Sequence, residues 1–116
     1  MFVVKRIYDA ARQEDGKRYL VDRLWPRGLK KEKARLDGWL KDLAPSTELR
    51  TWFHHDPARW EAFRHRYRQE LVAPQLLPLL QQLREEAGEE TVTLLYAATD
   101  REHNHAVCLK DVLEQA

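Results

Sequence analysis

Between Leu20 and Gly28 the chain reads Leu-Val-Asp-Arg-Leu-Trp-Pro-Arg-Gly, which packs Asp22, Arg23, Trp25 and Arg27 into six positions. A carboxylate, two permanent cations and an indole so close together suit an anion pocket. Guanidinium groups fork onto phosphate or carboxylate oxygens, the indole offers a flat apolar wall, and Gly28 lets a ligand approach the backbone. Arg6, near the amino terminus, is a further candidate ligand-binding cation. A second polar cluster, Asp100, His103, Asn104 and His105, follows an apolar run near the carboxyl end. There His103 has the type needed for a general acid or base, with Asp100 to orient it, while Asn104 is a candidate ligand contact. Asp22, Asp100 and His103 are therefore the candidate catalytic groups. Both clusters have a plain structural alternative: Asp22 pairing with an arginine, Trp25 in the core, Asp100 capping a helix and His103 facing solvent in its first turn. His105 is expected to face solvent.

Other constellations point less clearly to chemistry. His54, His55 and Asp56 are adjacent, so their side chains diverge, and no histidine pair at helical ligand spacing accompanies them; no metal site is expected. No motif for a cofactor is present. Arg59, Arg64, Arg66 and Arg68 form a basic stretch that Glu61 and Glu70 interrupt, as on an ordinary solvated helix face. Twenty basic against 19 acidic residues give a net charge of +1, so any attraction for nucleic acid must be local. The single cysteine, Cys108, fits a reducing compartment, and it is expected to be a small buried side chain rather than a nucleophile. With no secretory pattern and no apolar run long enough to span a bilayer, a cytoplasmic protein without membrane contact is expected.

The elements that must position these residues follow from periodicity. The 116 residues, 43% hydrophobic and 34% charged, suit one globular domain spanning 1–116. Phe2–Tyr8 and Tyr19–Leu24 are expected strands, the second halted where Pro26 lacks an amide donor. Leu36, Trp39, Leu40 and Leu43 recur at helical spacing, which predicts an amphipathic helix from Lys31 to about Leu43. Ser46 caps a short helix carrying Leu49, Trp52 and Phe53. Asp56-Pro57 opens a longer one with Trp60, Phe63, Tyr67 and Leu71 on a single stripe. A leucine-rich helix before Gly88 has its start delayed or bent by Pro78. Thr91–Ala98 is continuously apolar, the pattern of a central strand in a parallel sheet, and a last helix with Ala106, Leu109 and Leu113 follows it, capped by Asp100. The order implies an α/β fold. It should be a small, mainly parallel, Rossmann-like sheet of three or four strands with helices on its faces. Ligands in such sheets bind beyond the strand carboxyl ends, where both polar clusters lie.

The whole set of segments resembles the YeaO-like family of uncharacterised proteins, a short-member branch of the DUF488 group. The resemblance covers nearly the whole chain. It rests on Lys5–Asp9, Leu20–Gly28, Trp39–Arg50 with Ala44-Pro45-Ser46, Trp52–Asp56, Trp60 with Phe63 and Tyr67, and Thr93–Asn104. Longer members of the group carry cysteines in Leu-Leu-Cys-Ala-Glu and Cys-His-Arg segments. Here Tyr96-Ala97-Ala98 and His103-Asn104-His105-Ala106 stand in their place, so no cysteine role carries over. The resemblance implies a parallel sheet and no established activity. The functional expectation is an enzyme or binding module for a small anionic metabolite, phosphorylated ones included, with hydrolysis or group transfer as its chemistry if it is catalytic. The alternatives are a nucleic-acid accessory protein or an aromatic-rich interaction module, acting as a monomer or small homo-oligomer.

Overall fold

The computed structural model describes residues 1–115. Its framework is one four-stranded parallel sheet in the order β1-β4-β2-β3, where β1 is Phe2–Arg6, β2 Lys17–Leu20, β3 Gly38–Trp39 and β4 Val92–Tyr96. The helices are α1 (Lys31–Ala34), α2 (Thr47–Phe53), α3 (Trp60–Leu71), α4 (Leu77–Glu89) and α5 (His105–Glu114). Every residue of β4 is buried, as its uninterrupted apolar sequence requires of a strand with neighbours on both edges and layers on both faces.

The alternation of the strands sorts the core into two parts. Tyr19, Val21, Val92, Leu94 and Tyr96 join the main core, with Phe53 of α2, Phe63, Tyr67 and Leu71 of α3, Leu80 and Leu83 of α4, and Leu109 and Leu113 of α5. Leu20 and Leu95 form a smaller cluster with Ile7 and Ala34, covered by Trp25, Leu29, Leu36 and Trp39. Ser46 caps α2 through Oγ and the Leu49 amide at 3.1 Å, and Asp56 accepts from the Ala58 amide at 3.0 Å ahead of α3, as expected. Pro78 lies in the first turn of α4, which begins just before it.

Three expectations are corrected. The predicted helix from Lys31 to Leu43 is absent: α1 stops at Ala34, Arg35 turns left-handed, and Gly38–Trp39 pairs with Tyr19–Leu20. The free edge of β2 needs backbone partners, which Asp37 and Leu40 supply by donating to Arg18 and Leu20 carbonyls at 2.7 and 2.8 Å. The helical spacing was coincidental, because Leu36 and Trp39 enter the small cluster while Leu40 and Leu43 enter the main core. The strand predicted over Tyr19–Leu24 runs from Lys17 to Leu20, since Asp22 beyond it turns its side chain, rather than its backbone, to the Ala97 amide just past β4. The cap of α5 is Asn104, whose Oδ1 accepts from the Val107 amide at 3.1 Å, and Asp100 closes an earlier turn.

The connection from β1 to β2 leaves a gap one strand wide for β4. Gly16, with φ of 63°, makes that possible, because a Cβ there would collide with the Thr91 carbonyl. Beside it the buried Asp15 carboxylate receives the Arg12 amide and Lys5 Nζ, each at 3.0 Å, and the Arg18 guanidinium. Burial would raise the Asp15 pKa, but the Arg12 amide and the Lys5 and Arg18 cations outweigh it and hold the carboxyl below its usual 3.8. The stabilisation is therefore complete above that value and is lost as pH falls through the lowered native one. Asp15→Ala leaves buried cations unpaired and should cost about 3–5 kcal/mol in urea unfolding at pH 7. The gap to wild type should narrow on acidification below about pH 4.

Candidate functional site

Because β2 and β4 are parallel neighbours, the loops that follow them open on the same edge. Asp22 joins those loops, its Oδ2 accepting from the Ala97 amide at 3.1 Å. Its Oδ1 lies 3.0 Å from Nε2 of His105, the first residue of α5, but that N–H is aimed at the Val21 carbonyl 2.9 Å away. Oδ1 is thus buried close to a donor without receiving its hydrogen bond, the only such side-chain atom among the described residues.

The pocket at this edge has a volume of about 90 Å³. Asp22, Arg23 and Leu24 come from the loop after β2, Ala44 and Pro45 from the loop before α2, and Ala98, His103, Asn104 and His105 from the loop after β4 and the start of α5. Arg50 and Phe53 of α2, His55 after it, and Phe63 of α3 complete the wall. Phe53 and Phe63 stack with centroids 4.3 Å apart, giving an apolar surface beneath the charged rim. Two guanidiniums face one carboxylate, so the fixed charge of the lining is positive before any histidine is protonated.

Several of these groups are already engaged. Arg23 donates from Nε to the Pro45 carbonyl at 3.1 Å and from Nη2 to that of Ala44 at 3.2 Å. Asn104 spends its amide on the Asp100 carbonyl while capping α5. Asp100 accepts from the Glu102 and His103 amides, both at 2.9 Å, and from the His103 side chain through Nδ1 at 3.0 Å. Those contacts, the His103 amide foremost, hold the Asp100 carboxyl below its usual pKa. A carboxylate only accepts, so His103 carries its proton on Nδ1, and its ring rests edge-on against Trp60 with centroids 5.3 Å apart. Arg50 makes no side-chain hydrogen bond or ion pair with the described residues.

Of the candidate residues, the structure brings Asp22, Arg23, His103 and Asn104 to one pocket, with Asp100 behind His103. Arg6, Trp25 and Arg27 lie outside its wall. Arg6 donates to the Ala97 and Ala98 carbonyls, Trp25 gives its indole N–H to the Leu29 carbonyl and packs on Trp39, and Arg27 is exposed. His105, expected in solvent, faces the pocket. It must, since its imidazole satisfies the Val21 carbonyl where β2 ends. Arg50 and His55 were also missed; Arg50 stands one turn before the buried Phe53, a spacing that puts both on one side of α2. Cys108 is buried, which pushes its thiol up to about 12 and leaves it no nucleophile. Among the described residues no three His, Cys, Asp or Glu side chains are grouped to hold a metal ion, and no helix is long and apolar enough to cross a membrane.

Fold and site together define a small parallel α/β protein with a pocket at the strand carboxyl ends. Residues 1–116 match the family model described as the inactive DUF488-N3 subclade, and the chain belongs to the DUF488 family. It is 46% identical over 109 residues to the uncharacterised protein YeaO of Escherichia coli K12, covering 94% of this chain and 93% of that one. It is 41% identical over 110 residues to the uncharacterised proteins Mb3100c of Mycobacterium bovis and Rv3073c of Mycobacterium tuberculosis, covering 95% of this chain and 91% of each. No solved structure matches it.

Arg23 holds two backbone carbonyls in place, so its loss should act on the fold before it acts on any ligand. Arg23→Ala should lower stability by about 1–3 kcal/mol in chemical denaturation. Arg50→Ala should leave stability within about 0.5 kcal/mol of wild type, as a surface substitution does.

Proposed function

We propose that this chain is a binding module for a small anion carrying a compact apolar group, held in the pocket between the ends of β2 and β4. The observation that carries this reading is the lining itself: Arg23 and Arg50 beside the stacked Phe53 and Phe63, at the start of α5. Cations and the positive end of a helix favour an anionic head, and the aromatic pair favours an apolar body. Binding without turnover fits better than catalysis. The lining has no serine, threonine, cysteine or lysine nucleophile, its one carboxylate, Asp22, is spent on joining the two loops, and the matching subclade is described as inactive.

The basic stretch from Arg59 into α3 offers less to a nucleic acid. Arg59 and Arg66 lie over the Trp52 ring, Arg64 pairs with Glu61 and Asp111, and Arg68 donates to Gln115. A phosphate would have to compete with each of these partners.

Phenyl phosphate, inorganic phosphate and the cation benzamidine form a direct test by thermal shift and calorimetry. Phenyl phosphate should stabilise the protein most, adding about 2.7 kcal/mol at a hundredfold excess over its Kd, and benzamidine should have no effect. Arg50→Ala should weaken phenyl phosphate binding about tenfold or more, the loss expected of a charge-assisted hydrogen bond. No response to either anion, or equal responses from wild type and Arg50→Ala, would overturn the proposal.

A further inference from the structure

We infer that His55 is a ligand-contacting residue of this pocket, held there by a strained turn, and that it helps select the anionic head group; this rests on the binding function proposed above. Helix α2 closes with the His54 amide donating to the Arg50 carbonyl at 3.1 Å, and the left-handed backbone of His54 (φ 47°) then turns the chain out of the helix. One left-handed residue is enough to end a helix. Yet His55 is left-handed too (φ 54°), and the Asp56 amide closes the turn on the Phe53 carbonyl at 3.0 Å. A four-residue turn with positive φ at both central positions ordinarily carries glycine, which has no Cβ to meet the following carbonyl, or asparagine and aspartate, whose short polar side chains hydrogen-bond locally. Here both central residues are histidines.

No structural hydrogen bond accounts for them. Neither imidazole is bonded to another side chain or to the backbone of the described residues, and both side chains are exposed. The turn is pinned on both sides, by the buried Phe53 before it and by Asp56, which accepts from the Ala58 amide, after it. The backbone at His55 is therefore held beside the pocket: its ring stands 6.3 Å from that of Phe53 and forms part of the pocket wall, whereas His54 does not reach the pocket. Persistent strain of this kind collects where a side chain is needed in one place. An imidazole N–H at the edge of an apolar wall, near the Arg50 cation, suits an oxygen of a phosphate or carboxylate.

Glycine relieves the strain at either position, so stability and binding should separate. His54→Gly should raise Tm by about 3 °C and leave the Kd for phenyl phosphate, measured by isothermal titration calorimetry, unchanged. His55→Gly should have a Tm no lower than wild type and bind phenyl phosphate about tenfold more weakly, the loss of one hydrogen bond to an anion. If His55→Gly binds as wild type does while Arg50→Ala is impaired, His55 has no part in recognition and this inference alone falls. A lower Tm for His55→Gly would mean that the histidine serves the fold, which also overturns it. Failure of wild type to bind phenyl phosphate removes both this inference and the function on which it rests.

Discussion

Burial of β4 is the constraint on which the rest of the molecule depends. Strands β1 and β2 are formed within the first 20 residues but do not pair with one another; each pairs with Val92–Tyr96, which arrives about seventy residues later. Until that strand is in place the inner edges of β1 and β2 have no partners, and unpaired backbone groups buried away from water are costly. The helices α2 to α5 owe their common layer to the same strand, since Val92, Leu94 and Tyr96 present the face on which they pack. The parallel direction of all three strands brings the loops after β2 and β4 together. A site at that edge is thus a consequence of how the sheet closes.

Strand ends, helix ends and loops leave carbonyls short of backbone donors, and arginines answer much of that need here. Arg6 donates to Ala97 and Ala98, Arg23 to Ala44 and Pro45, Arg18 to Ala34 and Arg35, and Arg84 to Val112 and Leu113, the last pair at the carboxyl end of α5. In each case one forked guanidinium meets two consecutive carbonyls, a geometry that lysine could not reproduce with its single ammonium. A cation in a strand-end loop is therefore ambiguous in sequence: the same residue type that would grip a ligand is also the one that closes a chain terminus.

That ambiguity separates what was legible from what was not. The parallel sheet, the buried run of β4, the Ser46 cap and the Asp56-Pro57 start followed from local rules of periodicity and capping, and the two loops that meet were foreseen as a pair. The segment from Lys31 to Leu43 was not legible. Its apolar residues fill two separate clusters on opposite sides of the sheet, and spacing alone cannot distinguish that from one helical face. His105 was misjudged for a related reason. Its direction is set by the Val21 carbonyl, 84 residues away in the chain, and no local pattern records that. Arg6 and Arg27 looked like companions of Arg23 in composition, yet only Arg23 lines the pocket.

Where a chain departs from good local chemistry, the departure has to be compensated elsewhere, so its location is informative. Two departures stand out, and each has one residue, Asp22 or His55, in the wall of this pocket: the Asp22 Oδ1 that is buried without a hydrogen bond, and the paired left-handed histidines after α2. Together they amount to several kcal/mol, about 1–3 for an unsatisfied buried acceptor and about 1–2 for each strained residue. That is a large fraction of the stability of a domain this size. Asparagine and glycine at 54 and 55 would remove the turn strain without touching the core. A rearranged His105 could serve Oδ1 only by giving up the Val21 carbonyl. The histidine turn is thus optional for the fold, and the unbonded Asp22 oxygen is imposed by it. Only the optional one distinguishes selection for a ligand from the geometry of a strand end.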